Sequence, residues 1–301
     1  LNSAYFDEIY HARTAYEHIN GIKPYEVSHP PLGKLIIDIG IRLFVMTPFG
    51  WRFMGTLFGA AMLPALYVFL KKMFRSSRCA VCCTVVFAFD FMHFVQTRIA
   101  TIDTYAVFFI ILLYMFMYRY VSSPRLAGGR RSEWLVPLAL SGLFFGLGAA
   151  SKWTCIYAGA GLAVIWLTDR VERGVMLCRA GEGRRYARET AGNILWCLLF
   201  FVAVPCVIYY LSYWPYGTAA GLKGPGMLLS REYLDIVLEN QRFMFTYHAG
   251  VTATHPYSSR WYQWVLDIRP ILYYLDYTGD GLRSSFGAFL SPLLCWGGLL
   301  S

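Results

Sequence analysis

Apolar stretches long enough to cross a lipid bilayer recur along this chain, and they restrict its fold more than any other feature. A spanning helix needs roughly 20 mainly apolar residues, with a range of about 17 to 25. The candidate spans, the last one cut short by the end of the sequence, are 53–70, 79–95, 104–121, 134–150, 153–168, 191–211 and 286–301. The sequence therefore predicts an all-α polytopic membrane protein.

The composition favours the same class of protein. Only 15% of the residues are charged and 57% are hydrophobic, which leaves too few polar side chains to cover a soluble domain. Aromatic residues make up 18% of the chain, and Trp and Tyr are enriched where helices cross the membrane interface. The net charge of +9 does not indicate a nucleic-acid partner, because the Lys and Arg residues lie between apolar stretches rather than in a basic domain.

The basic residues predict an orientation. Three linkers rich in Lys and Arg are expected in the cytoplasm by the positive-inside tendency, and alternating the spans puts all three on one side: 71–78, 119–133 and 169–190. The segments expected on the extracytoplasmic side are 1–52, 96–103, the tight turn at 151 and 152, and 213–285. We expect residues 1–301 to form a single transmembrane catalytic core, with a span before residue 1 and further spans after residue 301.

A shorter apolar stretch precedes the first span. Leu35–Met46 is apolar but carries Asp38 and Arg42, so it is expected to form an amphipathic helix along the membrane surface.

Two adjacent carboxylates lie near the start of the chain, at Asp7 and Glu8. One of them could act as a general base. Neighbouring residues on a helix point about 100° apart, so one carboxylate would do chemistry while the other orients or binds. The alternative is an ordinary acidic helix N-terminus that the helix dipole stabilises.

Three cationic side chains on the predicted outer side are candidates for binding a phosphate: Lys34, Arg52 and Lys152. A guanidinium at the end of a span can grip a lipid phosphate with paired hydrogen bonds. The alternatives are a Lys34 that extends towards the headgroups, an Arg52 that anchors its helix at the interface, and a Lys152 that serves only as the polar residue of a hairpin turn.

Further polar and aromatic residues are predicted to bind substrate or to support the site. In the first half of the chain they are His11, His29, Asp90, Arg98 and Asp103, and in the segment 213–285 they are Arg242, His248, His255, Tyr257 and Trp261. A carboxylate inside a span should face a polar cavity or a partner, as we expect for Asp90. Arg98 and Asp103 could pair with each other.

The histidines do not match a strong ligand-spacing motif, so no metal is expected. The sequence has no Walker loop and no dinucleotide fingerprint, which disfavours ATP or a soluble nucleotide sugar as the donor.

Five segments together resemble the bacterial branch of the protein O-mannosyltransferases, in order and over nearly the whole chain. They are Phe6 to His11, the turn from His29 to Lys34, the link from Arg98 to Asp103, the turn from Ser151 to Trp153, and His255 to Ser259.

This resemblance implies a GT-C glycosyltransferase transmembrane core with an extracytoplasmic amphipathic juxtamembrane helix. It implies an enzyme that moves mannose, with inversion, from a polyprenyl-phosphate-linked donor to Ser or Thr hydroxyls of exported proteins. By the same resemblance Asp7 is the catalytic base and Arg52 contacts the phosphate. The partners are then the membrane lipid donor and an exported acceptor protein, with the secretion channel as one place of encounter. No cofactor and no nucleic acid are expected, and the expected location is the bacterial cytoplasmic membrane with the site facing outwards.

Two other functions remain open at this point. A related GT-C transferase could move another lipid-linked sugar to a glycolipid or a cell-wall polymer, and only a donor and acceptor assay distinguishes the two. A transporter or flippase is disfavoured, because it should show broken helices with polar residues at mid-membrane on several spans.

Overall fold

The computed structural model describes residues 3–123, 130–252, 257–277 and 281–300. The chain forms two compact units. The first unit contains Leu1–Ser28, Lys34–Thr104 and Pro215–Ser301, and the second contains His29–Gly33 and Tyr105–Trp214.

Helices make up most of both units. The first eight helices in chain order are α1 (Glu8–Ile19), α2 (Leu32–Phe44), α3 (Pro48–Phe74), α4 (Ser77–Ala88), α5 (Phe91–Gln96), α6 (Asp103–Val121), α7 (Arg131–Ser151) and α8 (Thr154–Arg179). They are followed by α9 (Gly183–Leu198), a π-helical turn (Leu199–Ala203), α10 (Val204–Ser212), α11 (Trp214–Ala219), a 3₁₀ turn (Pro225–Leu229), α12 (Arg231–Gly250), α13 (Trp261–Val265), strands β1 (Ile271–Tyr277) and β2 (Arg283–Ala288), and α14 (Pro292–Leu300).

In the described part of the chain, four helical segments are long and apolar enough to cross a membrane: Pro48–Phe74, Asp103–Val121, Arg131–Ser151 and Gly183–Ala219. They confirm the predicted spans 53–70, 104–121, 134–150 and 191–211. The fifth prediction, 153–168, overlaps α8, which begins at Thr154 and is not among these four segments. Its second half carries charged side chains such as Asp169 and Arg170.

The predicted span 79–95 is not one continuous helix, because it breaks at Asp90. Helix α4 ends at Ala88, and the Asp90 carboxylate caps α5 by accepting a hydrogen bond of 2.8 Å from the backbone N–H of His93. Asp is a preferred N-cap residue because its side chain satisfies an N–H that lacks a partner within the helix. The second carboxylate oxygen accepts a bond of 2.7 Å from the N–H of Ser291. Asp90 thus has the partner that its buried position requires.

The predicted start of the last apolar span, at residue 286, is also wrong. Residues 271–277 and 283–288 form an antiparallel hairpin, in which Ile271 pairs with Ala288 and Tyr277 with Arg283. Strand β1 is rich in aromatic residues, which fit a half-buried strand, and its pairing with β2 includes residues 286–288 of the predicted helix. The helix begins only at Pro292, and proline is favoured in the first turn. The hairpin is an addition to the predicted all-α fold.

The predicted linker 169–190 is largely helical, since α8 runs to Arg179 and α9 begins at Gly183. The helices are separated by a short turn in which Gly181 has a φ of +76°, a conformation that suits glycine. The predicted tight turn after α7 is confirmed, because only Lys152 and Trp153 separate α7 from α8. In the linker 119–133, Arg125 lies outside the described residues.

The predicted helix at 35–46 is present as α2. Asp38 and Arg42 are one turn apart and form an ion pair of 2.5 Å. The helix buries Ile37 and exposes Leu43, as expected for an amphipathic helix. Its placement along the membrane surface stays a prediction.

The spans of the second unit pack closely. A Cβ atom on Gly142 of α7 would lie 2.3 Å from the carbonyl oxygen of Phe200, so the two backbones meet at this glycine. Such small residues allow close helix contact inside a membrane, where burial of apolar surface gives little driving force. The core of this unit consists of Leu113, Met117, Tyr120, Leu138 and Leu162.

Candidate active site

A buried carboxylate–guanidinium pair organises the first unit. Glu8 is completely buried in the first turn of α1. Its two oxygens accept hydrogen bonds from Nε and Nη2 of Arg52, each 2.7 Å long. One oxygen also accepts the backbone N–H of Ala100 at 2.9 Å. Glu8 thus joins α1, the start of α3 and the link 96–103, a structural position that is compatible with the orienting role predicted for one member of the pair.

Asp7 occupies a different environment from its neighbour. It is partly exposed and lies at the N-cap position of α1, but its side chain accepts no capping hydrogen bond from that helix. The preceding residue, Phe6, has a φ of +52°, which is uncommon for a residue with a large side chain. The left-handed turn lets the chain enter α1 with Glu8 inside and Asp7 towards the surface. This is the arrangement that a general base needs.

Tyr273 of the hairpin lies close to two carboxylates. Burial raises the pKa of the Tyr273 hydroxyl, and the nearby negative charges of Asp103 and Asp7 raise it further. The Tyr273 hydroxyl donates a hydrogen bond to Oε1 of Gln96. Its ring packs edge-on against Phe6, with 4.6 Å between the ring centroids. The hairpin thus places a protonated hydroxyl beside Asp7.

Sequence reasoning did not identify Tyr273 or Gln96 as site residues, since neither belongs to a recognised motif. The one available signal was the run of aromatic and branched residues in 271–277, which is typical of a strand.

A cavity of about 520 Å³ opens in the same unit. Two guanidinium groups line it, those of Arg52 and Arg98, together with the aromatic rings of Tyr5, Phe49, Phe91, Phe94 and Phe286. Cations beside aromatic walls suit an anionic group attached to an apolar chain. Arg98 is exposed and lies over the ring of Phe94, 4.5 Å from its centroid. Among the described residues no ion pair joins it to Asp103, contrary to what the sequence suggested.

Tyr5 connects the cavity with the carboxylates. Burial and the charge of Glu8 raise the pKa of Tyr5 to about 12, while Arg52 and Arg98 act in the opposite direction. Its hydroxyl therefore keeps its proton at neutral pH and can donate a hydrogen bond into the cavity. Glu8, the neighbour of Asp7, binds Arg52 directly, and the grouping of Asp7 itself with Arg52 stays a prediction.

Lys34 is not placed where a phosphate could reach it. Its side chain is fully buried, and Nζ lies 2.5 Å from a carboxylate oxygen of Glu26 and 2.9 Å from the Glu26 carbonyl oxygen. The same carboxylate lies 3.9 Å from Nδ1 of His11. Burial lowers the pKa of Lys34, and the Glu26 charge opposes that effect. The prediction of Lys34 as a phosphate contact is corrected to a buried ion pair, with His11 beside it.

The second unit contains two of the predicted site residues. His29 belongs to the short stretch His29–Gly33 and is partly exposed. Lys152 lies in the turn between α7 and α8 and is also partly exposed. Their predicted roles stay predictions.

Two side chains of helix α12 contact the backbone of Val27 and Ser28, the residues just before His29. Nε2 of His248 lies 2.9 Å from the carbonyl oxygen of Ser28, and the side-chain amide of Asn240 donates a bond of 3.0 Å to the carbonyl oxygen of Val27. His248 is therefore a structural contact of α12. Arg242, on the same helix, is exposed.

The remaining predicted residues lie on the surface or outside the described part. Tyr257 is exposed under the guanidinium of Arg269, and Trp261 is 73% exposed. His255 lies outside the described residues. Within the described ranges, no group of three or more His, Cys, Asp or Glu residues could hold a metal ion.

His18 of α1 makes the stability of the first unit dependent on pH. Burial lowers its pKa to about 3, and the Lys34 cation adds to this effect, while Glu26 opposes it. In the unfolded chain His18 titrates near its usual value of about 6.5. Between these two pKa values the unfolded chain binds a proton that the folded chain does not. The contribution of His18 to the free energy of unfolding is therefore full above about pH 6.5. It decreases as the pH is lowered, by up to about 1.4 kcal/mol per pH unit.

This dependence can be measured by thermal unfolding of the purified protein between about pH 7 and about pH 5. His18→Gln should flatten the slope, whereas the exposed surface variant Arg231→Gln should keep it. Equal slopes in the wild type and His18→Gln would contradict the assignment.

Comparisons with known proteins agree with this picture. A family model described as dolichyl-phosphate-mannose-protein mannosyltransferase matches residues 28–180. The polyprenol-phosphate-mannose–protein mannosyltransferase of Mycobacterium tuberculosis is 26% identical over 335 residues, which cover 97% of this chain and 63% of that protein. The protein of the same name from Corynebacterium glutamicum is 24% identical over 308 residues, covering 90% of this chain and 58% of its own length. The chain thus spans about three fifths of these relatives.

Two solved structures share the fold. The S. cerevisiae protein O-mannosyltransferase Pmt1–Pmt2 complex bound to the sugar donor matches 75% of this chain and 32% of that chain, with a TM-score of 0.61 and 20% identity. ArnT from Cupriavidus metallidurans in the apo state matches 88% of this chain and 44% of that chain, with a TM-score of 0.58 and 12% identity. These matches confirm the predicted GT-C membrane fold. Because the family model covers slightly more than half of the 301 residues, the chain belongs to the dolichyl-phosphate-mannose-protein mannosyltransferase family.

Proposed function

We propose that this protein transfers mannose from a polyprenyl-phosphate-linked donor to Ser or Thr hydroxyls of exported proteins. The observation that carries the proposal is the partly exposed Asp7, which directly precedes the carboxylate that holds Arg52 in the wall of a cavity. The activity in the names of the bacterial relatives supports the same reaction.

The proposed reaction needs a base that removes the proton of the acceptor and a cationic cavity that binds the phosphate. The acceptor hydroxyl attacks the anomeric carbon of mannose from the side opposite the phosphate, and Asp7 takes its proton. The bond between the anomeric carbon and the phosphate oxygen breaks, and the electron pair leaves with the polyprenyl phosphate. Arg52 and Arg98 stabilise the negative charge that develops on the leaving oxygen. Tyr273, which is influenced by the charges of both Asp7 and Asp103, is placed to position the sugar or the acceptor.

Arg52 is pre-organised for this role. The paired hydrogen bonds to Glu8 fix its guanidinium plane before any donor arrives, so little side-chain freedom is lost on binding. Arg98 has no such buried carboxylate partner among the residues that the structure describes, and it is the more exposed of the two.

The proposed location is the bacterial cytoplasmic membrane, with the site on the outer side. The three basic linkers support this orientation by the positive-inside tendency. Exported proteins would reach this face as they leave the secretion channel.

The test is a transfer assay with the protein in lipid nanodiscs, polyprenyl-phosphate mannose and a Ser/Thr-containing peptide. The expected result is a peptide that gains one hexose, detected by mass spectrometry. A second arm replaces the peptide with a glycolipid acceptor. Transfer to the glycolipid alone would overturn the proposal in favour of a related GT-C activity.

Arg98→Gln is expected to raise the KM for the donor by about 10- to 100-fold, because it removes a charged hydrogen bond to the phosphate. The KM for the peptide should stay close to that of the wild type. Arg231→Gln, which removes an exposed arginine at the start of α12, is the matched control and should change neither constant. Equal effects of Arg98→Gln on both KM values would contradict a phosphate contact.

A further inference from the structure

A second polar pocket, of about 300 Å³, lies in the second unit, far along the sequence from Asp7. Three helices form it: α7, α8 and α9. Four arginines line it, one from α7, two from α8 and one from α9: Arg131, Arg170, Arg173 and Arg188. The mechanism proposed above uses none of them.

Positive charge exceeds negative charge in this pocket. Asp169 pairs with both Arg170 and Arg173. Glu189 lines the pocket but also pairs with Arg185, outside it, at 2.9 Å. Four lining arginines against these two carboxylates leave a surplus of about two positive charges. Because Arg170 and Arg173 are 4% and 8% exposed, this surplus lies partly away from water, where a bound anion stabilises it.

The pocket lies at one end of two spans. Arg131 begins α7, and its guanidinium lies 5.0 Å from the ring of Trp196. Further along the same pair of segments, Gly142 approaches Phe200 and Gly146 approaches Pro205. The two segments therefore run in the same direction, and the pocket lies towards the N-terminal end of both. Arginine and tryptophan at such an end are typical of the headgroup level of a membrane.

An apolar cavity adjoins the basic pocket. Asn193, in the pocket wall, accepts a hydrogen bond of 2.6 Å from Nε1 of Trp166 and lies next to Cys197. Trp166 and Cys197 also line a cavity of about 280 Å³, whose other walls include Met117, Phe145, Leu162 and Phe201. The charged pocket and the apolar cavity thus meet at Asn193, and the apolar cavity lies along the part of α8 that precedes Arg170.

We propose that the arginine pocket binds the phosphate headgroup of an anionic phospholipid, with an acyl chain directed towards the apolar cavity. Guanidinium groups bind phosphate oxygens with paired hydrogen bonds, and basic pockets between spans are suited to anionic headgroups. Inorganic phosphate shares the headgroup chemistry but has no part that fits the apolar cavity. The site is independent of the mannosyl transfer proposed above.

The test uses the whole protein in nanodiscs of phosphatidylcholine with and without phosphatidylglycerol. The pocket variant is R131Q/R188Q, which changes two exposed arginines of the pocket. The matched control is R179Q/R184Q, which removes the same charge from exposed positions of α8 and α9 outside the pocket. Lipid retention is counted by native mass spectrometry, and Tm is measured in each lipid.

Phosphatidylglycerol should raise the Tm of the wild type and of R179Q/R184Q. R131Q/R188Q should retain this lipid about tenfold less and show no such rise, because two headgroup contacts are lost. If R131Q/R188Q does not fold, R188Q alone serves in the same comparison.

Three outcomes overturn the proposal. The first is an absence of any effect of phosphatidylglycerol on the wild type. The second is an equal loss in the pocket and control variants, which indicates unspecific charge attraction. The third is an equal rise in Tm with inorganic phosphate in phosphatidylcholine nanodiscs, which indicates a site for small anions. None of these results bears on mannose transfer, so this proposal and the proposed function fail or stand separately.

Discussion

Asp7→Asn is expected to lower the rate of mannose transfer by a factor of about 100 to 10,000, the range typical for loss of a general base. The amide has nearly the same shape as the carboxylate but cannot take the proton of the acceptor hydroxyl. The helix should survive the change, because the Asp7 side chain does not cap α1. Single-turnover transfer to a peptide, with the donor pre-bound, measures this step directly.

The control for this experiment is Asp235→Asn on α12. Its carboxylate is half exposed and lies 3.8 Å from Arg231, so its loss should leave turnover and stability unchanged. Donor retention by Asp7→Asn should match that of the wild type, since the cavity arginines remain. Turnover of Asp7→Asn at the wild-type rate would remove this residue from the mechanism.

Glu8→Ala is expected to reduce the free energy of unfolding by about 3 to 5 kcal/mol, the cost of breaking a buried ion pair by removing one partner. The change leaves the Arg52 guanidinium without its carboxylate and removes the acceptor of the Ala100 N–H. Thermal or denaturant unfolding in detergent measures the loss. Transfer should fall as well, because Arg52 loses the group that fixes it in the cavity wall.

A control variant and a double variant distinguish the loss of the Glu8–Arg52 ion pair from a general loss of stability. Glu182→Ala removes an exposed carboxylate that pairs with Arg185, and its cost should stay below about 1 kcal/mol. The double variant Glu8→Ala/Arg52→Met should be less unstable than the sum of the two single changes, because no unpaired charge remains. Additive costs, or a Glu8→Ala protein as stable as the wild type, would show that the pair does not anchor the site.

The positions of several membrane spans and of the turn between two of them could be predicted, because both depend on local sequence. The spans at 53–70 and 134–150 follow from length and hydropathy alone. The turn at Lys152 follows from the polar interruption between the span 134–150 and the next apolar stretch. The break at Asp90 could not be predicted in this way. One partner of its carboxylate, Ser291, lies 201 positions away, and a hydropathy window does not include such a contact.

The candidate site shows the same limit. The sequence identified the Asp7 and Glu8 pair, but their division of roles depends on Arg52 and Ala100, which are 44 and 92 positions from Glu8. Lys34 was misplaced although its partner Glu26 is only eight positions away, because the sequence alone does not show which polar side chains are buried together. Tyr273 was missed because its bond to Gln96 joins residues 177 positions apart.

The bonds of the hairpin region to the rest of the first unit have a consequence for biosynthesis. Protein domains fold from the N-terminus as the ribosome delivers them, and Asp7 and Arg52 are delivered early. A nascent chain that ends at Pro270 has neither the Tyr273 hydroxyl beside Asp7 nor the Ser291 amide that satisfies Asp90. Translation must therefore pass Ser291 before these contacts of the candidate site can form.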